Sequence, residues 1–381
     1  MTGLQSSLER FRGWFISDCL PFWAARGMDL ETGGFYEALH FDGSPATRRP
    51  QRVRTLFRQV HTLTQAGLRG WIEHADVIAS RGFDYLLQHA CPDDGARGCV
   101  FHIADDGSVL DDRRDLYDQA FVLLACASRI KAGDKERATA LAENTISFLE
   151  RDLASPHGGW LESDARELPR RQNPHMHLFE AFMALHRATG EERYLGLADR
   201  IYDLFCAHFY EAENGILREK FTENWSPRED DVIEPGHMLE WVWLLDAYER
   251  IGRRTPFEMR ERLYARALDL GADPNFHGFI DNIAEPDGGV HGAKRLWPQT
   301  EYLRASLVMA KHGSKEAAGN AETLIGNLFD TYLAIEPKGL WVDEFDKYGE
   351  RLARDAPASI LYHLYEAVAE ADAYLSAGNA S

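Results

Sequence analysis

Residues 234–245 read EPGHMLEWVWLL and set His237 and Glu240 three positions apart, on one face of a helix. A carboxylate beside an imidazole can fix its orientation and basicity, as a proton-transfer site requires. In an ordinary core the histidine would instead be satisfied by a nearby backbone carbonyl, with Glu240 exposed. Residues 170–185, RRQNPHMHLFEAFMAL, repeat the His-x-x-Glu spacing at His177 and Glu180, and put Asn173 four positions before His177. Asn173 also suits an N-cap ahead of Pro174. His175 lies two positions from His177 and so looks elsewhere. The third histidine, His363 in SILYHLYEA, interrupts an apolar stretch. An imidazole titrating near pH ~6.5 can take and return a proton, so His363 and His237 form a candidate pair of proton carriers. Neither HExxH nor a tight ligand cluster is present, so no metal is expected. There is also no P-loop and no GxGxxG following a strand, so no cofactor is expected.

Arg54 could satisfy hydroxyls of a polar ligand. Tyr117 in LYDQAF, Trp297 in KRLWPQTE, Trp241, Trp243 and Phe57 offer aromatic walls. Flat apolar rings with polar groups between them suit a sugar, although ordinary packing also consumes aromatics.

These residues need elements that bring them together, and an internal repeat supplies them. Glycine-led segments begin at Gly33, Gly98, Gly158, Gly215, Gly278 and Gly339, at intervals of 65, 60, 57, 63 and 61 residues. Between them the 3.6-residue period predicts two helices per interval. The more amphipathic set covers 72–90, 134–151, 191–210, 256–271 and 314–334. The more apolar set covers 54–70, 115–130, 174–189, 235–250, 298–311 and 357–376, and residues 4–24 complete twelve helices. Two alternating sets imply two concentric layers, the inner covered on both sides. The expected fold is all-α: six helical hairpins closed into an (α/α)6 barrel, with the glycine segments as short β-hairpin loops at one end. No composition shift divides the chain, so residues 1–381 read as one catalytic domain. Arg54, Tyr117, His177, His237, Glu240, Trp297 and His363 fall 19 to 25 residues after a landmark glycine, at or near the start of an inner helix. A closed ring would gather them around one mouth, where loops 41–53 and 166–172 could act as a lid.

Composition narrows the partners. The 61 acidic residues against 42 Lys plus Arg leave a net charge of −19, which argues against nucleic acid and anionic membranes. No apolar run is long enough to span a bilayer. The first twenty residues carry Glu9, Arg10 and Arg12 where a signal peptide needs its apolar core. Five cysteines form neither a CxxC nor a disulfide framework, so a cytoplasmic setting is expected. A homo-oligomer is compatible with the sequence, which locates no interface.

RTLFRQ from Arg54, LYDQAF around Tyr117, NPHMHLFEA from Asn173, PGHMLEW from Pro235, KRLWPQTE from Lys294 and YHLYEA from Tyr362 together resemble the N-acylglucosamine 2-epimerase superfamily over essentially the full chain. That group includes N-acylglucosamine, cellobiose and mannose 2-epimerases, mannose isomerases and sulfoquinovose isomerases. The resemblance implies an (α/α)6 barrel, metal-independent isomerisation or epimerisation, and a small monosaccharide substrate. It implies that Arg54 binds near the ring oxygen and the C1–C2 oxygens, and that Tyr117, Asn173 and His177 contact sugar. Trp297 would form a wall, His237 and Glu240 the pair after PGH, and His363 the C-terminal catalytic histidine. D-mannose to D-fructose is the expected reaction, with 2-epimerisation next and a glycoside hydrolase or sugar-binding toroid as the other class. A modified C6 would need further basic groups, for which Arg170, Arg171 and Lys294 are candidates.

Overall fold

Apolar side chains at helical spacing, broken by left-handed glycines, build the helices of a ring. The computed structural model describes residues 3–284 and 292–378. The first helix is split by a wide π turn at Phe15–Cys19 into α1 (Gly3–Trp14) and α2 (Leu20–Arg26). Then come α3 (Val53–Leu68), α4 (Ala75–His89), α5 (Leu116–Lys131), α6 (Lys135–Phe148), α7 (Gln172–Thr189) and α8 (Glu192–Leu204). The ring finishes with α9 (Pro235–Arg250), α10 (Phe257–Gly271), α11 (Leu296–Lys311), α12 (Lys315–Asp330) and α13 (Ser359–Gly378). The odd members from α3 onward form the inner layer, and each packs on its inner neighbours. The circle closes where α13 meets α3. The outer layer is α1 with α2, α4, α6, α8, α10 and α12. The (α/α)6 architecture expected from the repeat is present.

The loops differ from the expected local hairpins. Tyr210–Glu211 with Ile216–Leu217 and Ala272–Asp273 with Phe279–Ile280 are such hairpins. The residues entering each inner helix, however, pair with the glycine segment of the following round. Gln51–Arg52 meets His102–Ile103, Arg170–Arg171 meets Lys220–Phe221, and Lys294–Arg295 meets Phe345 and Glu344. Single bridges Asp115–Ser163 and Ile233–Ala284 do the same before α5 and α9. Asp355–Pro357, ahead of α13, pairs with Ala38–His40 of the first round. Six stitches therefore hold the N-terminal ends of the inner helices in a circle, and the last joins the final round to the first.

Helix starts follow local chemistry. Asp115 caps α5 by accepting from the Tyr117 N–H at 3.0 Å, and Pro235 opens α9 where its missing N–H costs nothing. Asn173 is not the cap expected of it. Helix α7 already begins at Gln172, which frees the Asn173 amide for the cavity.

One disulfide corrects the cysteine reading. Cys91 and Cys99 are bonded, because left-handed Asp93, Asp94, Gly95 and Gly98 fold the chain back until their Cα atoms lie 4.2 Å apart. Cys19, Cys126 and Cys206 are free. No described helix is long and apolar enough to cross a membrane.

Candidate active site

The N-terminal ends of the inner helices surround a polar cavity of about 200 Å³. Arg54, Tyr117, Asn173, His177, His237, Glu240, Trp297 and His363 all line it, so the ring gathers eight of the ten expected residues. Phe57 and Trp241 do not. Phe57 is fully buried edge-on to Phe83 of α4, on the outer-layer side of α3. Trp241 is fully buried between Phe205 and Phe179, and its Nε1–H donates to Gln172 Oε1 at 2.9 Å. Both are core residues, since an inner helix buries its back as completely as its front. Trp243 likewise misses this cavity and faces a second one farther along the axis.

His363 and His237 flank Trp297, at ring-centroid distances of 5.8 and 5.0 Å. His363 Nδ1 lies 2.8 Å from Glu301 Oε1, while Glu301 Oε2 accepts from Arg304 at 2.6 Å. Burial pushes the Glu301 carboxyl up, and the adjoining guanidinium pulls it back toward the carboxylate. A carboxylate only accepts, so Nδ1 carries the hydrogen and Nε2 keeps its lone pair. Burial, with Arg58, Arg304 and Arg295 nearby, pushes His363 well below its usual range. It is a neutral base.

His237 is its opposite. Burial disfavours its charge, but Glu219 at 3.0 Å and Glu234 at 3.5 Å from Nδ1 outweigh burial and lift it to about 10. Its Nε2 lies 3.1 Å from the Asn173 amide. The Asn173 Oδ1, buried without a partner, becomes the acceptor for Nε2–H when that amide is turned over. The expected partner Glu240 is not bonded to His237. Glu240 Oε1 lies 3.9 Å from His177 Nδ1, and its Oε2 is buried without a partner. Burial and the neighbouring Glu301 push the Glu240 carboxyl well up.

His177 contacts Glu180 at 3.3 Å, and the Tyr362 hydroxyl donates to that same carboxylate. Burial lowers His177 to about 3 against the pull of Glu180, so it is neutral. On the cavity side its Nε2 lies 3.4 Å from the Tyr117 hydroxyl. The ligand atoms of His177, Glu180 and Glu240 lie within 4.8 Å of one another, as do those of Glu219, Glu234 and His237. These are the two places among the described residues where a cation could be held.

Four arginines border the cavity. Arg54 grips Asp118 through its own N–H at 2.8 Å and its guanidinium at 2.9 Å. Burial raises the Asp118 carboxyl to about 7 despite that partner. Arg58, one turn on, donates to the Tyr117 hydroxyl at 2.8 Å and stacks 4.0 Å above Phe121, with no carboxylate partner among the described residues. Arg52 pairs with Glu37 and Arg295 with Asp343. By contrast Arg170, Arg171 and Lys294 are structural. Arg170 is buried against Trp225 and donates to the Gly158 and Trp160 carbonyls, Arg171 pairs with Glu162, and Lys294 sits between Asp273 and Asp281.

Arg58, Arg52, Arg295, Glu301 and Glu219 were not among the sequence candidates. Arg58 follows Arg54 by one helical turn, which was signal enough. Glu219 had a subtler one. An acid stands three or four residues after the landmark glycine at Glu37, Glu162, Glu219, Asp281 and Asp343. Glu301 sits within KRLWPQTE but reaches His363 only because α11 and α13 adjoin.

The family model for N-acylglucosamine 2-epimerase matches residues 34–367. A mannose-6-phosphate isomerase of Rhizobium meliloti is 33% identical over 373 residues, covering 94% of this chain and 95% of that protein. A D-mannose isomerase of Thermobifida fusca is 28% identical, covering 80% of each chain. The structure of cellobiose 2-epimerase from Spirochaeta thermophila superposes with a TM-score of 0.88 at 24% identity, covering 99% of this chain and 98% of that one. With this cavity at the mouth of an (α/α)6 barrel, the chain belongs to the N-acylglucosamine 2-epimerase family and is a sugar isomerase or epimerase.

Proposed function

We propose that this enzyme interconverts D-mannose and D-fructose by histidine-mediated proton transfer through an enediolate, without metal or cofactor, on a free monosaccharide. One observation carries the reading: a neutral and a protonated histidine both line the cavity and both pack against Trp297. His237, as the acid, protonates the ring oxygen and takes up the anomeric O1–H proton as the sugar opens to the aldehyde, which leaves His237 protonated again. His363 Nε2 then takes the C2 proton, made acidic by the C1 aldehyde. The charge left on O1 is met by Arg54, Arg58 and the Tyr117 hydroxyl. His363 returns its proton to C1 while the O2 hydrogen passes to O1, giving the ketose with every proton accounted for. Protonation of C2 from the opposite face by His237 would give the 2-epimer from the same intermediate. Asn173 and His177 bind hydroxyls, and Glu240, held neutral, can donate to one.

The two isomerase relatives support an aldose–ketose outcome. A second reading, a sugar phosphorylated at C6, is favoured by Arg52 and Arg295 at the rim and by the Rhizobium relative. A hydrolase would need a second carboxylate across the cavity from Glu240; Glu180 and Asp118 do not line it, and Glu234, which does, lies 3.5 Å from His237 Nδ1. The test is proton NMR of chelator-treated enzyme with D-mannose, mannose 6-phosphate, D-glucose, N-acetylglucosamine and cellobiose. Fructose from mannose supports the proposal. Turnover of mannose 6-phosphate alone selects the second reading. Glucose without fructose, dependence on added metal, or no turnover of any sugar contradicts it.

A further inference from the structure

A second cavity, of about 210 Å³, lies toward the opposite end of the axis, where α3, α5, α7 and α9 finish. Arg69 follows α3, Lys131 ends α5, Arg187 is in the last turn of α7 and Arg250 ends α9, and all four line this cavity. Cations at helix C-termini offset the dipole, which accounts for their type but not for their convergence on one space.

The hydrogen-bonding capacity left over here is cationic. Each acid on the wall is occupied: Glu180 by Tyr362 and His177, Glu366 by His61 and Arg304, and Glu370 by Lys311 and Trp243. Arg69 and Arg250 are ion-paired, with Asp372 and Asp246. Lys131 and Arg187 are not ion-paired among the described residues. The Arg187 Nε–H meets only the Met183 carbonyl, at 3.4 Å, which leaves the planar fork of its Nη groups open to the cavity. Crowding by protein and by the Arg250 charge lowers the Arg187 guanidinium, a cost that a bound anion would relieve.

We infer that this distal cavity binds a phosphate-type oxoanion, with the Arg187 fork and Lys131 as its ligands and Arg250 behind them. A guanidinium fork matches two oxygens of a tetrahedral anion, and an ammonium supplies a point charge to a third. The ligand is free phosphate or the phosphoryl group of a small phosphomonoester, which present the same oxygens.

Inorganic phosphate and glycerol 3-phosphate, titrated at constant ionic strength and followed by 31P NMR, test the assignment. The proteins are the wild-type enzyme, Arg187→Gln, Lys131→Gln and the catalytic-cavity variant Arg295→Gln. Wild type and Arg295→Gln are expected to bind alike, and each distal substitution is expected to weaken binding by roughly tenfold or more. Tighter binding of glycerol 3-phosphate identifies a phosphomonoester, and tighter binding of inorganic phosphate identifies the free ion. Failure of both anions to bind wild type at ~10 mM overturns the inference, since a built site is expected to hold its ligand more tightly than that. So does undiminished binding by both distal variants, or loss confined to Arg295→Gln. Arg187 makes a single backbone hydrogen bond and lines a cavity, so its variant is expected to fold, and a melting curve verifies this.

Discussion

Replacing Glu301 by Gln removes the charge behind His363 at almost constant volume. Arg304 can only donate, so the new carbonyl must face it, which turns the new amide NH2 toward His363 Nδ1, 2.8 Å from the present carboxylate oxygen. Nδ1 then has to accept, the ring hydrogen moves to Nε2, and the nitrogen facing substrate loses its lone pair. Losing a charge-assisted hydrogen bond costs about 1.5–3 kcal/mol, which is roughly ten- to 150-fold in rate. The wrong tautomer adds to that, so kcat is expected to fall by at least ~100-fold, with KM changed by less than about threefold. Fructose formation and loss of the C2 proton signal would be followed by NMR, with a melting curve to confirm folding. A folded Glu301→Gln enzyme that retains kcat within about threefold of wild type would refute the tautomer argument.

Other outcomes follow from the same geometry. Arg58→Ala should lower kcat by ten- to a hundred-fold or so, because Arg58 has no competing carboxylate and is free to meet the enediolate; an unchanged kcat would remove it from that role. The pH profile of kcat/KM should stay flat from the acid range, well below pH 6.5, where His363 protonates, up to about 10, where His237 deprotonates. A basic limb near neutrality would contradict the protonated state of His237. For stability the signs are set by the folded values. His237, raised to about 10, stabilises fully below its unfolded value of 6.5 and loses that contribution as pH rises through 10. His177, lowered to about 3, makes the protein less stable as pH falls from 6.5 toward 3, and pH-dependent melting checks both limbs. Trp241→Phe should cost about 1–3 kcal/mol of stability, through the unsatisfied Gln172 carbonyl, while leaving KM unchanged; a KM effect would return Trp241 to the sugar site. Thiol titration of denatured, unreduced protein should find three groups, and five after reduction.

Helices and ring were legible because glycine spacing and apolar period are local properties of the chain. The stitches between rounds were not, since a two-residue strand such as Gln51–Arg52 has a partner some fifty residues away. At the site, residue type and helix start located the mouth, but register remained ambiguous. On α3 the cavity takes Arg58, four residues after Arg54, and rejects Phe57, three after it. On α9 it takes Glu240, three after His237, and rejects Trp241, four after it. Each inner helix turns a different stripe to the axis, so spacing alone could not sort wall from core. The His237 partner was misread for a related reason: Glu240 shares its helix, whereas Glu219 arrives from the preceding loop.

The central claim is that His363 moves the proton at C2. D-mannose incubated in D2O with wild-type enzyme and with His363→Gln, watched by proton NMR, tests it directly. Wild type should form fructose with deuterium entering C1 to the extent that the histidine-borne proton exchanges with solvent. The variant should bind mannose, as read by saturation transfer, and leave its C2 hydrogen untouched. Loss of the C2 hydrogen from mannose at the wild-type rate in folded His363→Gln enzyme would contradict the account.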